Sequence, residues 1–464
     1  MKLSEAKHIY LIGIGGIGVS ALARLFLMHG KKVSGSDLKQ SQITDDLKKL
    51  GIDIYIGHDS NNINSDVDLV IYTEAVTGSS DGKIELEEAK SRKIESLSYS
   101  KALGAMMEGS FGIGVTGTNG KSTTTALLGL ILEAAELDPS VVVGTQIMID
   151  PKKTQFQANA RLGKGKYFVA EADEYHRHML DTNPDLIVLT NIAEDHLDYY
   201  KDIDDIKSAF LEYIKKLPKS GIVIYNADDP DSVHVGRSSK AHKYTYGVQH
   251  YADLQAIDVE IVNGKQSFRM LYHNEVIGQV QISMPGRYNI PNALAASLTA
   301  LKLGVDFQVI ARVLNGFSGI WRRFEVVGEV SGTKIISDYA HHPEAVAETI
   351  KAAEEFYPGK KILTVFQPHQ KSRTQKLFSE FVDGLSNSKH LIIPEIFEVS
   401  GREQGEKISS KDLVAGLKKY KINAEYAADL KQTEEKIRER LKDYDVVLIM
   451  GAGDIDNVAR NLVK

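Results

Sequence analysis

The sequence contains no cysteine among its 464 residues. This absence excludes disulfide bonds, thiolate metal sites and cysteine nucleophiles, and it suits a reducing compartment. No apolar run approaches the ~18 residues that a membrane-spanning helix needs. The N-terminal residues run directly into a predicted strand and lack the apolar core of a signal peptide. We therefore expect a cytoplasmic protein that does not insert into membranes.

An excess of positive charge is also missing. Lysine and arginine number 56 against 62 aspartate and glutamate residues, which gives a formal net charge of −6. The chain thus lacks the global basic field that is typical of nucleic-acid-binding proteins, and anionic ligands need local cationic pockets. Hydrophobic residues make up 42% of the chain and charged residues 25%, as in ordinary globular proteins. A chain of this length is expected to form about three domains.

The stretch from Gly112 to Thr125 has the pattern of a buried strand, a glycine-rich turn and the start of a helix. Gly117 and Gly120 allow the main-chain N–H groups to close around an anion. Lys121 supplies a positive charge, and the serine that follows supplies a hydroxyl for Mg²⁺. A valine takes the place of the first glycine of the strict P-loop pattern, so the match is a variant. The alternative is a purely structural loop before an ordinary helix.

A second glycine-rich turn lies near the start of the chain, between an apolar strand at 8–14 and a predicted helix. Its spacing is that of a Rossmann-like unit, in which a diphosphate binds at the helix N-terminus and an acid some twenty residues later lies near a sugar hydroxyl. The pattern indicates a nucleotide-like diphosphate and does not specify NAD; a structural tight turn is the alternative. The residues predicted to form this site are Gly13, Gly15, Gly16, Ile17, Gly18 and Asp37.

Acidic residues follow two buried strands in the middle of the chain. Glu171 and its neighbours to position 174 come directly after the first, and His196 ends the segment after the second. Open α/β sheets place their ligands at these carboxyl ends. Mg²⁺ prefers oxygen ligands, and a second metal accepts a histidine. Solvated strand ends without metal are the alternative for either cluster.

Later segments carry weaker signals. Residues from about 243 to 283 alternate polar and apolar, with a turn at Asn263-Gly264, which predicts an antiparallel insert. Asn289 and Asn292 open an alanine-rich helix, where the pattern alone favours capping over contact with a purine. After about residue 317, strands alternate with helices again, and their ends carry histidine and cationic residues. A nucleotide-triphosphate enzyme with a separate phosphorylated substrate follows from the three units; the reaction type does not.

Taken together, the motifs resemble those of the Mur ligase family. They occur in the family's order over nearly all of the chain. The segments that carry the resemblance are 13–18, 116–125, 171–174, 190–196, 285–292, 322–325, 338–343 and 366–369. The resemblance implies an α/β protein of three domains: a Rossmann-like UDP-substrate domain at 1–99, a central P-loop ATPase-like domain at 100–317, and a doubly wound amino-acid-binding domain at 318–464.

The reaction implied by the resemblance is ATP-dependent formation of a carbon–nitrogen bond. Such a ligase joins L-alanine to the lactyl carboxylate of UDP-N-acetylmuramate through an acyl phosphate, and releases ADP and phosphate. The expected cofactor is Mg²⁺, with ATP as a substrate. The expected setting is peptidoglycan precursor synthesis, which supports cell shape and division. Partners other than the small-molecule substrates are not expected, and the resemblance suggests a monomer or a weak homodimer.

The resemblance also implies roles for individual residues. Those expected to act in catalysis are Lys121, His196, Arg323 and His342. ATP is expected to contact Gly117, Thr118, Asn119, Gly120, Lys121, Ser122, Thr123, Asn289, Asn292, Arg323 and Asp338. Metal binding is expected at Ser122, Glu171 and His196, and amino-acid binding at Tyr339, His341, His342 and Arg373.

The chain departs from the family pattern at Asn119, Ser122 and Gln370 and in the segment 174–178. Asn119 and Ser122 replace a histidine and a threonine, and Ser122 keeps the hydroxyl that metal binding needs. Gln370 stands where the family has arginine, which weakens a charge-assisted contact to a carboxylate. The alternatives are a ligase of the same family that attaches a whole tripeptide, a nicotinamide-dependent oxidoreductase based on the first glycine turn, and a regulatory ATPase.

Overall fold

The computed structural model describes residues 3, 5–78, 80–147, 154–196, 199–262, 264–398 and 407–464. Their strands form three sheets of five, ten and six strands, alternating with helices. The three-sheet α/β architecture predicted from the sequence is therefore confirmed. Contacts divide the chain into two compact units. One contains 1–259, 268–281 and 288–317, and the other contains 260–267, 282–287 and 318–464. No helix among the described residues is both long and apolar enough to span a membrane.

The first sheet is entirely parallel, in the order β3-β2-β1-β4-β5. Its strands are β1 His8–Ile12, β2 Lys32–Asp37, β3 Asp53–Ile56, β4 Leu69–Tyr72 and β5 Glu95–Ser98. The helices are α1 Ile17–Met28, α2 Gln42–Lys49, α3 Ser80–Ser91 and α4 Tyr99–Met107. The strand order reverses between β1 and β4. Parallel sheets bind ligands beyond the carboxyl ends of the strands at such a reversal, and the first glycine turn follows β1 at that point.

The second sheet carries the P-loop on an inner strand. Its first strands are β6 Phe111–Thr116, β7 Ser140–Val142, β8 Ala160–Arg161, β9 Tyr167–Glu171, β10 Leu186–Leu189, β11 Ile222–Asn226 and β12 His242–Gly247. The accompanying helices are α5 Lys121–Ala134, α6 Ile203–Ile214, α7 Pro230–Arg237, α8 Asn289–Lys302 and α9 Phe307–Gly316. β6 lies between β9 and β10 and is parallel to both. The acidic segments that follow β9 and β10 therefore flank the loop that follows β6.

The same sheet continues through β13 Leu254–Val262, β14 Lys265–Tyr272 and β15 Glu275–Ile282. The prediction of an antiparallel insert from residue 243 is wrong for its first strand, because β12 pairs parallel to β11. β12 is only partly buried, and a half-covered parallel strand shows the same alternation as an antiparallel one. Only two residues separate β14 from its neighbour β15, and so short a connection requires antiparallel pairing. The predicted turn includes Asn263, which lies outside the described residues.

The third sheet has the order β16-β17-β21-β18-β19-β20 and is parallel apart from β16. Its strands are β16 Glu325–Val330, β17 Thr333–Asp338, β18 Ile362–Phe366, β19 His390–Pro394, β20 Asn423–Ala427 and β21 Val446–Met450. The helices are α10 Pro343–Phe356, α11 Lys371–Lys376, α12 Phe378–Leu385, α13 Ser410–Lys419, α14 Leu430–Arg438 and α15 Asp456–Leu462. β17, β21 and β18 are neighbours, so the segments that follow them lie at one edge.

Candidate active site

The P-loop backbone has the conformation that its glycines were expected to permit. Gly117 and Gly120 have φ values of +128° and +85°, in the region that disfavours side chains. A Cβ at Gly117 would also collide with Thr190 Oγ1. Gly120 is the N-cap of α5, so the unpaired N–H groups of the first helical turn face the loop. The expected loop residues Thr118, Asn119 and Thr123 lie in the same segment.

The segment after β10 braces this loop, which the sequence did not predict. Asn191 bonds to Asn119 twice: its Oδ1 accepts from the main-chain N–H at 3.0 Å, and its Nδ2 donates to the carbonyl at 2.8 Å. Thr190 Oγ1 donates to the same carbonyl at 2.6 Å. Thr118 is held similarly, because its Oγ1 accepts from Ala193 N at 2.9 Å. In the sequence, Thr190 and Asn191 were recognisable only as members of the 190–196 motif, and the role predicted for that motif was metal binding through His196.

Lys121 forms a buried ion pair with Glu174. Its Nζ lies 2.7 Å from Oε2 and 3.0 Å from Oε1, and it also donates to the Gly117 carbonyl at 2.6 Å. Burial raises the pKa of Glu174 to about 7, although Lys121 opposes that shift. Burial alone lowers the pKa of Lys121, but Glu174 and the neighbouring carboxylates outweigh it and raise the pKa above its ordinary value. Sequence reasoning placed Glu174 in an acidic cluster but gave it no individual role.

Two groups of candidate metal ligands flank Lys121. Ser122 Oγ lies 3.1 Å from Glu171 Oε2, as expected for two ligands of one ion. In the second group, one donor atom each from Asp173, Glu174 and His196 lie within 4.8 Å of one another. The oxygen-rich donors suit Mg²⁺, and the imidazole adds a nitrogen ligand. The structure thus adds two carboxylates to the predicted set.

The backbone around His196 is strained. His196 has φ of +52°, and the consecutive residues His176 and Arg177 have φ of +50° and +58°. Left-handed conformations at non-glycine residues cost free energy and concentrate at functional sites. Arg177 is held by Asp205 at 2.9 Å and by a second carboxylate, while the Tyr175 and His196 rings lie 4.5 Å apart. The Tyr175 ring therefore packs against the imidazole that lies beside the carboxylates.

Asn289 and Asn292 lie against the P-loop. A Cβ at Gly120 would collide with Asn292 Oδ1, and Asn292 Nδ2 lies 3.2 Å from Asn289 Oδ1. Both side chains are buried. The N-cap of α8 is instead Tyr288, whose side chain makes no capping hydrogen bond. Asn292 therefore lies beside the P-loop, and Asn289 lies next to Asn292.

The first glycine turn is fixed to the end of β2. The N–H groups of Gly13 and Ile14 donate to the Ser36 carbonyl at 2.8 and 3.0 Å. Gly15 N donates to Asp37 Oδ2 at 2.9 Å, so the predicted sugar-binding acid also holds the turn. Gly16 is the N-cap of α1. The first-turn N–H groups, which include those of Ile17 and Gly18, have no partner within the helix and are available to a diphosphate.

The buried carboxylate of Glu85 is hydrogen-bonded to Ser36, the residue that holds this turn. Glu85 has no exposed surface and accepts from Tyr10 at 2.8 Å, Ser36 at 2.5 Å and Asn62 at 2.9 Å; its Oε2 lies 3.0 Å from His58 Nδ1. Burial alone raises the pKa of Glu85, but these hydrogen bonds outweigh it and lower the pKa below its ordinary value. Because Ser36 also accepts from the glycine turn, the network fixes the turn indirectly.

Asn159 joins the diphosphate helix to the central sheet. Its Nδ2 donates to the Ile17 carbonyl at 2.6 Å and to Ser20 Oγ at 3.1 Å. Its Oδ1 accepts from Arg24 Nη1 at 3.0 Å. Both Asn159 and Arg24 are buried. These three bonds connect residues that are more than 130 positions apart, and nothing in the local sequence indicated them.

The same asparagine is linked to Glu171, a predicted metal ligand. Its main-chain carbonyl accepts from Val143 N at 3.0 Å. The next residue, Gly144, donates its N–H to Glu171 Oε1 at 2.5 Å. Hydrogen bonds and the Val143–Gly144 peptide bond therefore connect α1, through Asn159, to the Glu171 carboxylate that faces Ser122.

The remaining predicted residues belong to the second compact unit. Asp338 is buried, and its carboxylate accepts from the N–H groups of Phe324 and Ala340, both at 2.7 Å. Burial raises its pKa, against the opposing effect of Arg323. The Arg323 guanidinium lies 5.1 Å from the centre of the Tyr339 ring. Asp338 thus fixes the end of β17, while Arg323 and Tyr339 form a cationic and aromatic pair beside it.

The histidines of this unit lie on neighbouring segments. His341 packs edge-on against Tyr339, with ring centres 5.1 Å apart, and its ring lies 5.7 Å from that of His369. His342 is the N-cap of α10. Gln370 is buried, with φ of +70°, and is the N-cap of α11, which carries Arg373. The structure therefore brings together Tyr339, His341 and His369, and places Arg373 on the helix that follows His369.

Three family models match successive parts of the chain. Residues 8–111 match the model described as "Mur ligase family, catalytic domain", residues 115–300 match "Mur ligase middle domain", and residues 322–453 match "Mur ligase, glutamate ligase domain".

Curated relatives align over the whole chain. A UDP-N-acetylmuramate–L-alanine ligase of Alkaliphilus metalliredigens is 38% identical over 100% of this chain and 98% of its own length. A protein with the same name from Acetivibrio thermocellus is 39% identical, over 99% of this chain and 96% of its own length.

Solved structures share the fold. The UDP-N-acetylmuramate-alanine ligase MurC from Thermotoga maritima has a TM-score of 0.83 at 27% identity, covering 99% of this chain and 98% of that one. A murein peptide ligase from Psychrobacter arcticus has a TM-score of 0.74 at 21% identity, covering 98% of each chain. The second likeness is evidence for the fold alone.

Proposed function

The chain belongs to the Mur ligase family, and we propose that it is an ATP-dependent ligase that joins L-alanine to the lactyl carboxylate of UDP-N-acetylmuramate. The observation that carries this proposal is the full-length similarity to relatives named for that activity. The order of the sites along the chain supports it: a diphosphate turn, a P-loop with carboxylates, and a cationic, histidine-bearing sheet edge. The reaction belongs to peptidoglycan precursor synthesis, whose nucleotide substrates place it in the cytoplasm.

The P-loop supports nucleotide binding. The free N–H groups at the start of α5 and the Lys121 ammonium are donors for the phosphates of ATP. We assign Asn289 and Asn292 to the adenine, because the Asn292 amide lies beside Gly120 and contacts the Asn289 amide. Arg323, at the edge of the third sheet, is assigned to the transferred phosphoryl group, whose negative charge a guanidinium neutralises.

Ser122 and Glu171 would hold one Mg²⁺, and His196 with Asp173 and Glu174 would hold a second. Bound there, the metal lowers the negative charge on the phosphate oxygens. Glu174 Oε2 lies 2.7 Å from Lys121 Nζ in this structure, so Lys121 has to leave that carboxylate when phosphates bind.

The chemistry consists of two displacements. A lactyl carboxylate oxygen attacks the γ-phosphorus, the bond to the β–γ bridging oxygen breaks, and ADP leaves with that electron pair. The amine of L-alanine then attacks the acyl carbon of the acyl phosphate, and phosphate leaves from the tetrahedral intermediate. The attacking nitrogen loses one proton in this second step, and the departing phosphate takes it up. We assign the amino-acid end of the site to Tyr339, His341, His342 and Arg373.

The identity of the product tests the proposal. The purified protein is incubated with Mg-ATP, UDP-N-acetylmuramate, all twenty amino acids and the L-alanyl-γ-D-glutamyl-diaminopimelate tripeptide, and the products are analysed by mass spectrometry. We expect a product with the mass of UDP-N-acetylmuramoyl-L-alanine, and one phosphate released for each molecule of this product. A product that carries the tripeptide, glycine or serine in preference to alanine would refute the substrate assignment. Nicotinamide reduction without ATP would support the oxidoreductase alternative.

A further inference from the structure

Tyr99 packs directly on the first glycine turn. It is the first residue of α4 and follows the carboxyl end of β5, at the same sheet edge as the turn. A Cβ placed on Gly18 would lie 2.7 Å from Tyr99 Cζ and 2.9 Å from its hydroxyl oxygen. Gly18 has to be glycine because the tyrosine ring occupies this space. The phenol hydroxyl therefore lies beside the first turn of α1, where the diphosphate is expected.

The same hydroxyl lies within electrostatic range of the central carboxylates. Burial raises the pKa of Tyr99, and the charges of Glu171 and Asp173 raise it further. The group is therefore a protonated hydrogen-bond donor at neutral pH. Tyr99 thus touches the first glycine turn, and Glu171 and Asp173 lie close enough for their charges to act on its phenol.

The donor has no partner in the part of the chain that the structure describes. The Tyr99 side chain is half-buried, and its hydroxyl makes no hydrogen bond to a described residue. Three buried tyrosines of the first compact unit do have partners: Tyr10 donates to Glu85, Tyr200 to the Glu174 carbonyl, and Tyr246 to the Leu189 carbonyl. A half-buried hydroxyl without a protein partner is available to a ligand.

We propose that the Tyr99 hydroxyl donates a hydrogen bond to the N-acetylmuramoyl group of the UDP substrate and positions it between the diphosphate turn and Glu171. The inference rests on the proposed function, in which the substrate carries a sugar between its diphosphate and its reacting carboxylate. The sugar carries hydroxyl, acetamido and ether oxygens that accept such a bond. Tyr99 is a substrate-binding residue in this assignment, and it donates no proton to the reacting atoms.

Binding measurements on Tyr99→Phe test this assignment, because the variant keeps the ring beside Gly18 and removes only the hydroxyl. Calorimetric titrations compare UDP-N-acetylmuramate with UDP, which lacks the sugar. We expect the Kd of UDP-N-acetylmuramate to rise about 3- to 10-fold, the range for one neutral hydrogen bond, and the Kd of UDP to stay within twofold of wild type. The control is Tyr55→Phe, on the edge strand β3, which should change neither Kd.

Each other outcome has a distinct meaning. An unchanged Kd for UDP-N-acetylmuramate would overturn the inference and leave the proposed function intact. An equal rise for UDP would move the hydroxyl's partner to the diphosphate and also overturn it. If the wild-type protein bound UDP but not UDP-N-acetylmuramate, the proposed function itself would fail. Thermal unfolding of Tyr99→Phe within about 2 °C of wild type excludes a loss of fold as the cause.

Discussion

Lys121 of the P-loop is paired with Glu174, with Nζ 2.7 Å from Oε2, although its proposed partner is a phosphate. The lysine also donates to the Gly117 carbonyl, so its ammonium group lies inside the loop. ATP must exchange a carboxylate for a phosphate at this cation. The pair keeps a buried charge compensated until the nucleotide arrives.

Replacement of Lys121 should lower turnover without weakening the binding of UDP-N-acetylmuramate. In Lys121→Ala we expect turnover to fall by at least about 1,000-fold, because the transferring phosphoryl group loses a charge that neutralises it. The Kd of UDP-N-acetylmuramate should change by less than about threefold, since the diphosphate turn lies on another sheet. Phosphate-release kinetics and calorimetry measure the two quantities. Lys219→Ala, at an exposed position, is the control. Joint loss of both functions in a folded protein would contradict the assignment of separate sites.

Replacement of Asn191 should raise the KM for ATP and leave the KM for the UDP substrate unchanged. Its side chain holds both the N–H and the carbonyl of Asn119. Asn191→Ala removes both bonds, and we expect the KM for ATP to rise about tenfold, which corresponds to about 1.4 kcal/mol. Asn191→Asp keeps the acceptor and loses the donor, so its KM should lie between those of wild type and Asn191→Ala. Equal KM values in all three proteins would show that ATP binding does not depend on the hydrogen bonds between Asn191 and Asn119.

The Glu85 network predicts a pH-dependent stability. Hydrogen bonds lower the pKa of Glu85 in the folded state below its ordinary value of 4.5, so the unfolded chain takes up this proton first as the pH falls. The stabilisation is complete above about pH 5.5 and is lost as the pH falls through 4.5 toward the lower folded-state pKa. Glu85→Gln should lower the free energy of unfolding at pH 7 by about 2–4 kcal/mol.

Denaturant unfolding at several pH values measures this effect. The difference between wild type and Glu85→Gln should shrink between pH 5.5 and 3.5. Glu87→Gln, an exposed carboxylate on the same helix, provides the matched control and should unfold as wild type does. A difference that stays constant across this range would show that the Glu85 charge contributes nothing to stability.

Replacement of Asn159 should lower both the free energy of unfolding and the ligase rate. Asn159→Ala leaves the buried Arg24 without its side-chain acceptor, so we expect a loss of about 2–4 kcal/mol in the free energy of unfolding. The ligase rate should fall about tenfold or more at saturating substrates, because the diphosphate helix and Glu171 lose their fixed spacing. Asn183→Ala, at an exposed position, serves as the control. A destabilised variant with an unchanged rate would limit Asn159 to a role in folding.

The sequence predicted the parts of the site that lie close together along the chain. Turn, charge and hydroxyl follow one another from Gly117 to Ser122, and strand-end acids are recognisable because each follows an apolar run. Asn159 and Glu85 could not be found this way. Each is a single polar residue whose partners lie far away in sequence, and only the folded chain shows that it is buried. The wrong prediction at β12 has a related cause: alternation reports how much of a strand is covered and does not report the direction of its partner.

The bonds of Asn159 also constrain how this protein can be recombined. The first sheet with its helices looks like an independent module, which invites the exchange of residues 1–98 for those of a relative with another nucleotide-sugar substrate. Helix α1 would then arrive without the Arg24 and Ser20 that meet Asn159, unless the donor has the same residues at these positions. A graft that transfers residues 158–161 together with the first domain keeps Asn159 and its hydrogen-bond partners on α1 from the same protein. The functional boundary between the two modules therefore does not coincide with a single position in the chain.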